Sequence, residues 1–298
     1  MTFMRKIAVG VLAGCISTVA FANVPDVPVV APELTAAQIV EKNVAARGGL
    51  EAWRKIQSMV WVGHIERANA GAPSLPYVLE QKRPNKMRFE IKGQNQMGTR
   101  IYDGAHGWKL RMARDGKPDL KPYTADELSF ARDGQGIDGP LMDYQAKGIE
   151  VTLGGVDEVE GRKAYRLNVK LPSGTSHRVW IDAQTFLDVK YDRESRKAGG
   201  ISGMVSVHYR DYRLVEGLQV PHTIESGADT SKVTDKMVID KILLNPPLED
   251  QMFAKPGVSG RDHAVTVKAG APQAAQPAPS MPMGFTRLNQ RHVPMHAH

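Results

Sequence analysis

The spacing of apolar positions changes period once along the chain. After Thr35, a candidate helix N-cap, Ile39, Val40, Val44 and Ala45 lie along one helical face until Gly48-Gly49 interrupts it. A short second helix, Leu50 to Ile56, puts Trp53 and Ile56 on the same side. The period then falls to two. Met59, Trp61 and Ile65 alternate with more polar neighbours in 59–67, Met87, Phe89 and Ile91 in 86–92, and Trp108, Leu110 and Met112 in 106–112. Tyr165, Leu167, Val169 and Leu171 do the same in 163–171, the pattern of strands with one wet face. Asp115-Gly116, Glu160-Gly161, Ser173-Gly174 and Glu216-Gly217 supply hairpin turns at short intervals. Residues 124–147 interrupt the strands with two helical patterns, Asp126–Arg132 and Ile137–Ala146, placed to cover one mouth of a curved sheet. Pro221 falls inside the strand-like run Leu218–Ile224, which predicts an edge or a bulge there. The expected fold is mainly β, a curved or barrel-like antiparallel sheet that does not fully close, with helices on one side.

Outside residues 33–258 the pattern is lost. Residues 1–22 have the form of an export signal: Arg5 and Lys6, an apolar run from Ile7 to Val19, and the small-x-small site Ala20-Phe21-Ala22. Leu12-Ala13-Gly14-Cys15 inside it offers a rival, a lipobox that would make Cys15 a lipidated N-terminus. The apolar region ends at the small-x-small site rather than at the cysteine, which favours cleavage after Ala22 and a periplasmic protein. Residues 23–32, with Pro25, Pro28 and Pro32, form a spacer, and 259–298 an Ala/Pro-rich tail without periodicity, expected to be disordered.

Composition narrows the function classes. Of 298 residues, 42% are hydrophobic and 24% charged, a globular balance. A single cysteine excludes a disulfide framework and any Cys₄ or CxxC site. No apolar run approaches the roughly 20 residues of a spanning helix. The net charge of +7 is partly carried by the two ends of the chain, and the central region is nearly balanced, without the basic stripe that tracks phosphates. No nucleic-acid partner is expected.

Motifs of catalysis are missing. Gly134-Gln135-Gly136-Ile137-Asp138-Gly139 matches a dinucleotide fingerprint literally, but a polar segment precedes it and Pro140 follows, so a loop and helix start explains it. There is no GxSxG, HExxH or Walker A string. His64, His106, His177, His208 and His222 are scattered, and His292, His296 and His298 fall in the tail; no metal and no cofactor is expected. Asp182, Asp188, Asp192 and Glu194 among Arg178, Lys190, Arg193 and Arg196 suggest cross-strand ion pairing on a wet face. Thirteen methionines are a large stock, suited either to core filling or to a wall that accepts varied apolar shapes. A barrel of this size can enclose a ligand.

Gln81–Ile91 (QKRPNKMRFEI) followed by Tyr102–Leu110 (YDGAHGWKL) resembles the paired strand and hairpin of LolA-like outer-membrane lipoprotein-sorting proteins. Leu244–Pro256 (LNPPLEDQMFAKP) is similar to the close of such domains, and Gly48–Met59 (GGLEAWRKIQSM) to their helix-to-first-strand junction. The resemblance covers 33–258. It implies an unclosed antiparallel barrel of about eleven strands with a helical lid, and a non-enzymatic carrier that shields lipid or lipoprotein acyl chains on the way toward the outer membrane. It further implies an inner-membrane transporter and an outer-membrane receptor as partners, with the carrier itself a monomer. On this basis the cavity is expected to be lined by Trp61, Ile65, Tyr77, Leu79, Met87, Phe89, Ile101, Trp108, Leu110 and Met112, with Leu141, Met142 and Tyr144 in the lid. Arg83 and Arg88, matching the family's strand, are the candidate lid contacts; Asp103-Gly104 is turn chemistry. An envelope sensor on the same fold, and a metal-dependent hydrolase using the scattered histidines, are the alternatives.

Overall fold

A computed structural model describes residues 33–67, 71–93, 97–112, 115–134, 136–196, 202–228 and 235–257. The expected signal, spacer and tail lie outside them. Two helices come first, α1 (Ala36–Ala46) and α2 (Leu50–Arg54). At the start of α1 the Gln38 amide donates to the Thr35 hydroxyl at 3.3 Å and the Thr35 amide to the Gln38 side-chain oxygen at 2.9 Å, a reciprocal capping box. The chain leaves α1 through Gly48, at φ +112°, where an added Cβ would stand 2.5 Å from the Gly217 carbonyl oxygen. Only glycine fits there.

Six strands then run as a meander: β1 (Ser58–Glu66), β2 (Leu75–Lys82), β3 (Lys86–Lys92), β4 (Met97–Tyr102), β5 (Gly107–Met112) and β6 (Pro118–Pro122). Helix α3 (Ala125–Asp133) and a run of turns lead to a second meander of seven: β7 (Glu150–Val159), β8 (Arg162–Lys170), β9 (Ser176–Asp182), β10 (Asp188–Arg196), β11 (Ser202–Val215), β12 (Leu218–Ala228) and β13 (Asp235–Leu244). β13 pairs antiparallel with β1, so the two meanders fuse into one 13-stranded sheet whose edges are β6 and β7. The sheet is not closed. Its two edges are consecutive in sequence, and residues 123–149 run from one to the other.

Three expectations need correction. There are thirteen strands rather than about eleven; β6, five residues bounded by Pro118 and Pro122, carries too little alternation to be legible in the sequence. The helical pattern Ile137–Ala146 forms turns, because Gly136, Gly139, Asp143 and Gly148 all take positive φ and break each nascent turn. Pro221 lies in an interior strand. β12 pairs with β13 only over Thr223–Ser226, so the proline sits beyond that ladder while facing Tyr212 of β11.

Register assigns the faces. Directly opposed residues share a face, so Trp61, Leu79, Phe89 and Arg100 stand together on one side and Val60, Glu80, Arg88, Ile101 and Trp108 on the other. The first side, here called inner, carries α1, α2 and the 123–149 segment. Ile39 and Val40 of α1 pack with Leu141, Ile149, Leu167, Val169, Leu171, Val179 and Ile181. Trp53 of α2 packs with Met59, Ile137, Met142, Leu218 and Val220. The outer side is covered locally by the C-terminal stretch, where a 3₁₀ turn, Asp250–Phe253, drops Phe253 among Val60, Ile101 and Leu248.

Candidate functional site

The helices do not fill the inner face. Between the sheet and the 123–149 segment lies a cavity of about 1030 Å³, the upper end of the range for small-molecule sites. Trp53, Trp61, Gln81 and Arg100 line it from the first half of the sheet and its helices, and His177, Val179, Tyr191, Arg193, Val207, Tyr209, Tyr212 and Val220 from the second half. Glu127, Phe130, Asp133, Ile137 and Pro140 form its cover. Aromatic and aliphatic side chains share its wall with three arginines, four acids and several hydroxyls.

Most of those charges are internally compensated. Arg47 lies 3.8 Å from Asp188 and over the Trp53 ring at 4.6 Å. Arg100 reaches Glu127 at 3.4 Å and Lys109 donates to the same carboxylate at 2.9 Å. Burial alone would raise the Glu127 carboxyl, but Lys109, the Thr124 amide and Arg100 hold it below the usual carboxylate range. The Tyr191 hydroxyl is hydrogen-bonded to His177 Nδ1, and the Tyr212 hydroxyl donates to the Asp188 carbonyl at 3.0 Å. Burial pushes the phenols of Tyr191, Tyr209 and Tyr212 up, so they stay neutral.

The cover has two parts. α3 starts from its own capping box, with the Thr124 amide donating to Glu127 at 2.9 Å and the Glu127 amide to the Thr124 hydroxyl at 3.3 Å. Its last residue, Asp133, accepts from the Ser173 and Thr175 hydroxyls at 3.1 Å each, and Asn85 donates to the Ala131 carbonyl at 3.1 Å. No α3 side chain is buried, and Phe130 is 49% exposed. The following stretch is anchored differently. Leu141 and Met142 are fully buried, and the buried Asp138 carboxylate is gripped by Arg83 at 2.7 Å and Lys147 at 2.8 Å, while Arg47 donates to its carbonyl.

Set against these positions, the sequence-derived residues divide. Trp61 lines the cavity. Leu79, Met87, Phe89, Tyr77 and Ile65 share its face by register without reaching the cavity; Tyr77 is buried against Phe89, ring centres 5.6 Å apart. Leu141 and Tyr144 pack on the α1 core and Met142 against the Trp53 core. Ile101, Trp108, Leu110 and Met112 face the opposite way, where Ile101 and Trp108 pack with Phe253 beneath the C-terminal stretch and Met112 is 37% exposed. Alternation tells which residues share a face but not which face meets the cavity. Arg83 meets the cover through Asp138. Arg88 does not: it pairs with Glu80 and Glu90 and donates to the Met252 carbonyl on the outer side.

The second half of the sheet supplied what the sequence did not flag. Tyr191 and Arg193 alternate with Asp192, and Val207 and Tyr209 with His208, so the odd positions turn inward. The charges between them pair on the opposite side, with Arg178 and Lys190 both on Asp192, whose carboxylate is buried there rather than on the wet face expected of it. Arg193 was grouped with those outer charges, and the alternation of 190–193 was the signal that separates it. Among the described residues no three His, Cys, Asp or Glu side chains converge as metal ligands, and no helix is long and apolar enough to cross a membrane.

No family model and no curated relative matches the sequence. Solved structures do match the fold. A LolA superfamily protein from Nitrosomonas europaea superposes with a TM-score of 0.50 at 12% identity, covering 75% of this chain and 99% of that one. A putative outer membrane lipoprotein-sorting protein domain from Vibrio parahaemolyticus gives 0.47 at 11% identity, covering 74% and 96%, and a DUF1329 family protein from Desulfovibrio piger gives 0.47 at 10%, covering 74% and 97%. The unclosed antiparallel sheet with its helical cover is thus a LolA-like fold.

Proposed function

We propose that the protein is a non-enzymatic carrier that takes acyl chains of lipids or lipoproteins into the inner cavity and shields them from water. The observation that carries this reading is the chamber itself: about 1030 Å³, with aromatic and aliphatic side chains from both halves of the sheet between largely paired charges, beneath a helix that buries none of its own residues. Each methylene moved out of water contributes about 0.8 kcal/mol, so ten of them offer on the order of 8 kcal/mol before the costs of ordering the chain. That is enough for retention and small enough for release. α3 is the movable part, because few buried apolar contacts oppose its departure. The stretch around Leu141 and Asp138 stays with the sheet. The signal-like pattern of 1–22 supports work in the periplasm, with transfer toward the outer membrane as the direction.

Native mass spectrometry of the protein purified from the periplasm, followed by solvent extraction, tests this. Co-purifying phospholipid or acylated peptide is the expected result, and the mass will show whether the chain starts at Asn23 or at a lipidated Cys15. A Val207→Trp variant, which projects an indole into the chamber from its floor, is expected to carry less lipid with its fold intact. An apo mass for the wild-type protein, unchanged after incubation with lipid, overturns the carrier.

A further inference from the structure

Three arginines line the cavity, and two of them are accounted for: Arg47 by Asp188 and Arg100 by Glu127. Arg193 differs. It stands on the inner face of β10, opposite Val205 of β11 and two residues from Tyr191. Among the described residues no carboxylate pairs with it. Its guanidinium instead lies over the Phe130 ring of α3, 4.4 Å from the centroid. That contact offsets part of the charge through the ring quadrupole but supplies no acceptor for the five N–H donors. Four acids line the same cavity: Asp188 stands by Arg47, Glu127 is taken by Lys109 and Arg100, Asp133 accepts from the hydroxyls of Ser173 and Thr175, and Asp126 is engaged as well. Burial lowers the Arg193 pKa, with Tyr191 and Tyr209 acting against it, and a guanidinium stays charged in any such setting. A partly desolvated cation that meets a ring in place of a carboxylate is a costly arrangement.

Resting on the carrier reading above, we infer that Arg193 is the anchor for an anionic group of the cargo, and that the cargo class is an amphiphile with an acyl chain and a carboxylate or phosphate head. Arg193 receives the anion through its planar fork of donors, the geometry that suits both oxyanions. The chain runs from there over Tyr209, Val207 and Trp61. Because Phe130 occupies the same guanidinium, an arriving head group competes with or rides on the α3 contact, which ties cargo entry to the cover.

Affinities of the delipidated full-length mature protein for four probes test this: palmitate, 1-palmitoyl-lysophosphatidylglycerol, hexadecanol and 1-palmitoylglycerol. The last two keep the chain without the charge. At least one anionic probe should bind about ten- to a hundredfold more tightly than its neutral counterpart, the range of a charged hydrogen-bonded contact. Whichever it is names the head group as carboxylate or phosphate. Arg193→Met, which keeps the length and apolar stem, should erase that preference, so that the anionic probe binds no more tightly than its neutral counterpart. Equal binding of all four probes, or a preference that survives Arg193→Met, overturns the anchor while leaving the carrier standing. Binding of none overturns both.

Discussion

The sheet is covered on both sides, and the two covers are built on opposite plans. On the outer side the C-terminal stretch inserts Phe253, with no exposed surface, beside Leu248, and fastens its backbone through Lys82, which donates to the Leu248 carbonyl at 2.6 Å and to Asp250 at 2.8 Å. On the inner side α3 contributes no buried side chain and is held by hydroxyls, an amide, the part-buried Lys109–Glu127 ion pair and the Phe130 ring under Arg193. Apolar burial is non-directional and is lost in one piece, whereas exposed polar contacts exchange readily for water. The outer cover therefore behaves as part of the core and the inner helix as a flap over a cavity. The same contrast recurs within the inner cover itself, between α3 and the buried pair Leu141 and Met142.

Changes on the outer side should act on stability without touching cargo. Phe253→Ala is expected to cost about 3–5 kcal/mol, as truncation of a fully buried phenylalanine does, and to leave lipid exchange rates unaltered in the protein that remains folded. Denaturant unfolding and fluorescent-lipid exchange measure the two quantities. A variant that loses stability and also exchanges faster would show that the two covers are coupled.

Glu80 sharpens the same side. It lies buried beside Arg88, and burial pushes its carboxyl up to about 7 from an ordinary 4.5, Glu90 adding to the rise and Arg88 opposing it. A folded-state value above the unfolded one means that the native state binds the proton more tightly. The cost of ionising Glu80 is absent below about pH 4.5 and complete above about pH 7, so stability falls as pH rises through that window. Glu80→Gln removes the ionisation and should gain on the wild type by on the order of 2–3 kcal/mol more at pH 8 than at pH 4. Melting temperatures that differ equally at both pH values would argue that the carboxyl is not desolvated.

The smallest effect belongs to the flap. Asp133→Ala deletes the acceptor for Ser173 and Thr175 and should cost only about 1 kcal/mol of global stability. Amide protons of α3 should nevertheless exchange several-fold faster, and lipid exchange should accelerate with them. Unchanged α3 protection in this variant would move the hinge elsewhere in 123–149.

Much of the architecture was legible in the chain. Thr35 with Gln38, the stop at Gly48-Gly49 and the alternation in β1, β3, β5 and β8 follow from local chemistry, since caps, left-handed glycines and period-two burial act within a few residues. The QKRPNKMRFEI and YDGAHGWKL segments pointed to the right fold class for the same reason. The turns over Ile137–Ala146 were hidden because an apolar spacing that would suit a helix is overruled by residues at positive φ.

The sequence by itself therefore determined most of the elements, their hairpin connections and which side chains of a single strand share a face. Tertiary structure decided which face meets the cavity. Trp108 and Trp61 sit in equally convincing alternations, yet one packs under Phe253 and the other lines the chamber, because that choice depends on where residues 245–257 and 123–149 return to the sheet. Arg193 shows the same limit: it stands among Lys190, Asp192 and Glu194 along the chain, and only the pleat, set against a cover from another part of the sequence, turns it toward the cavity.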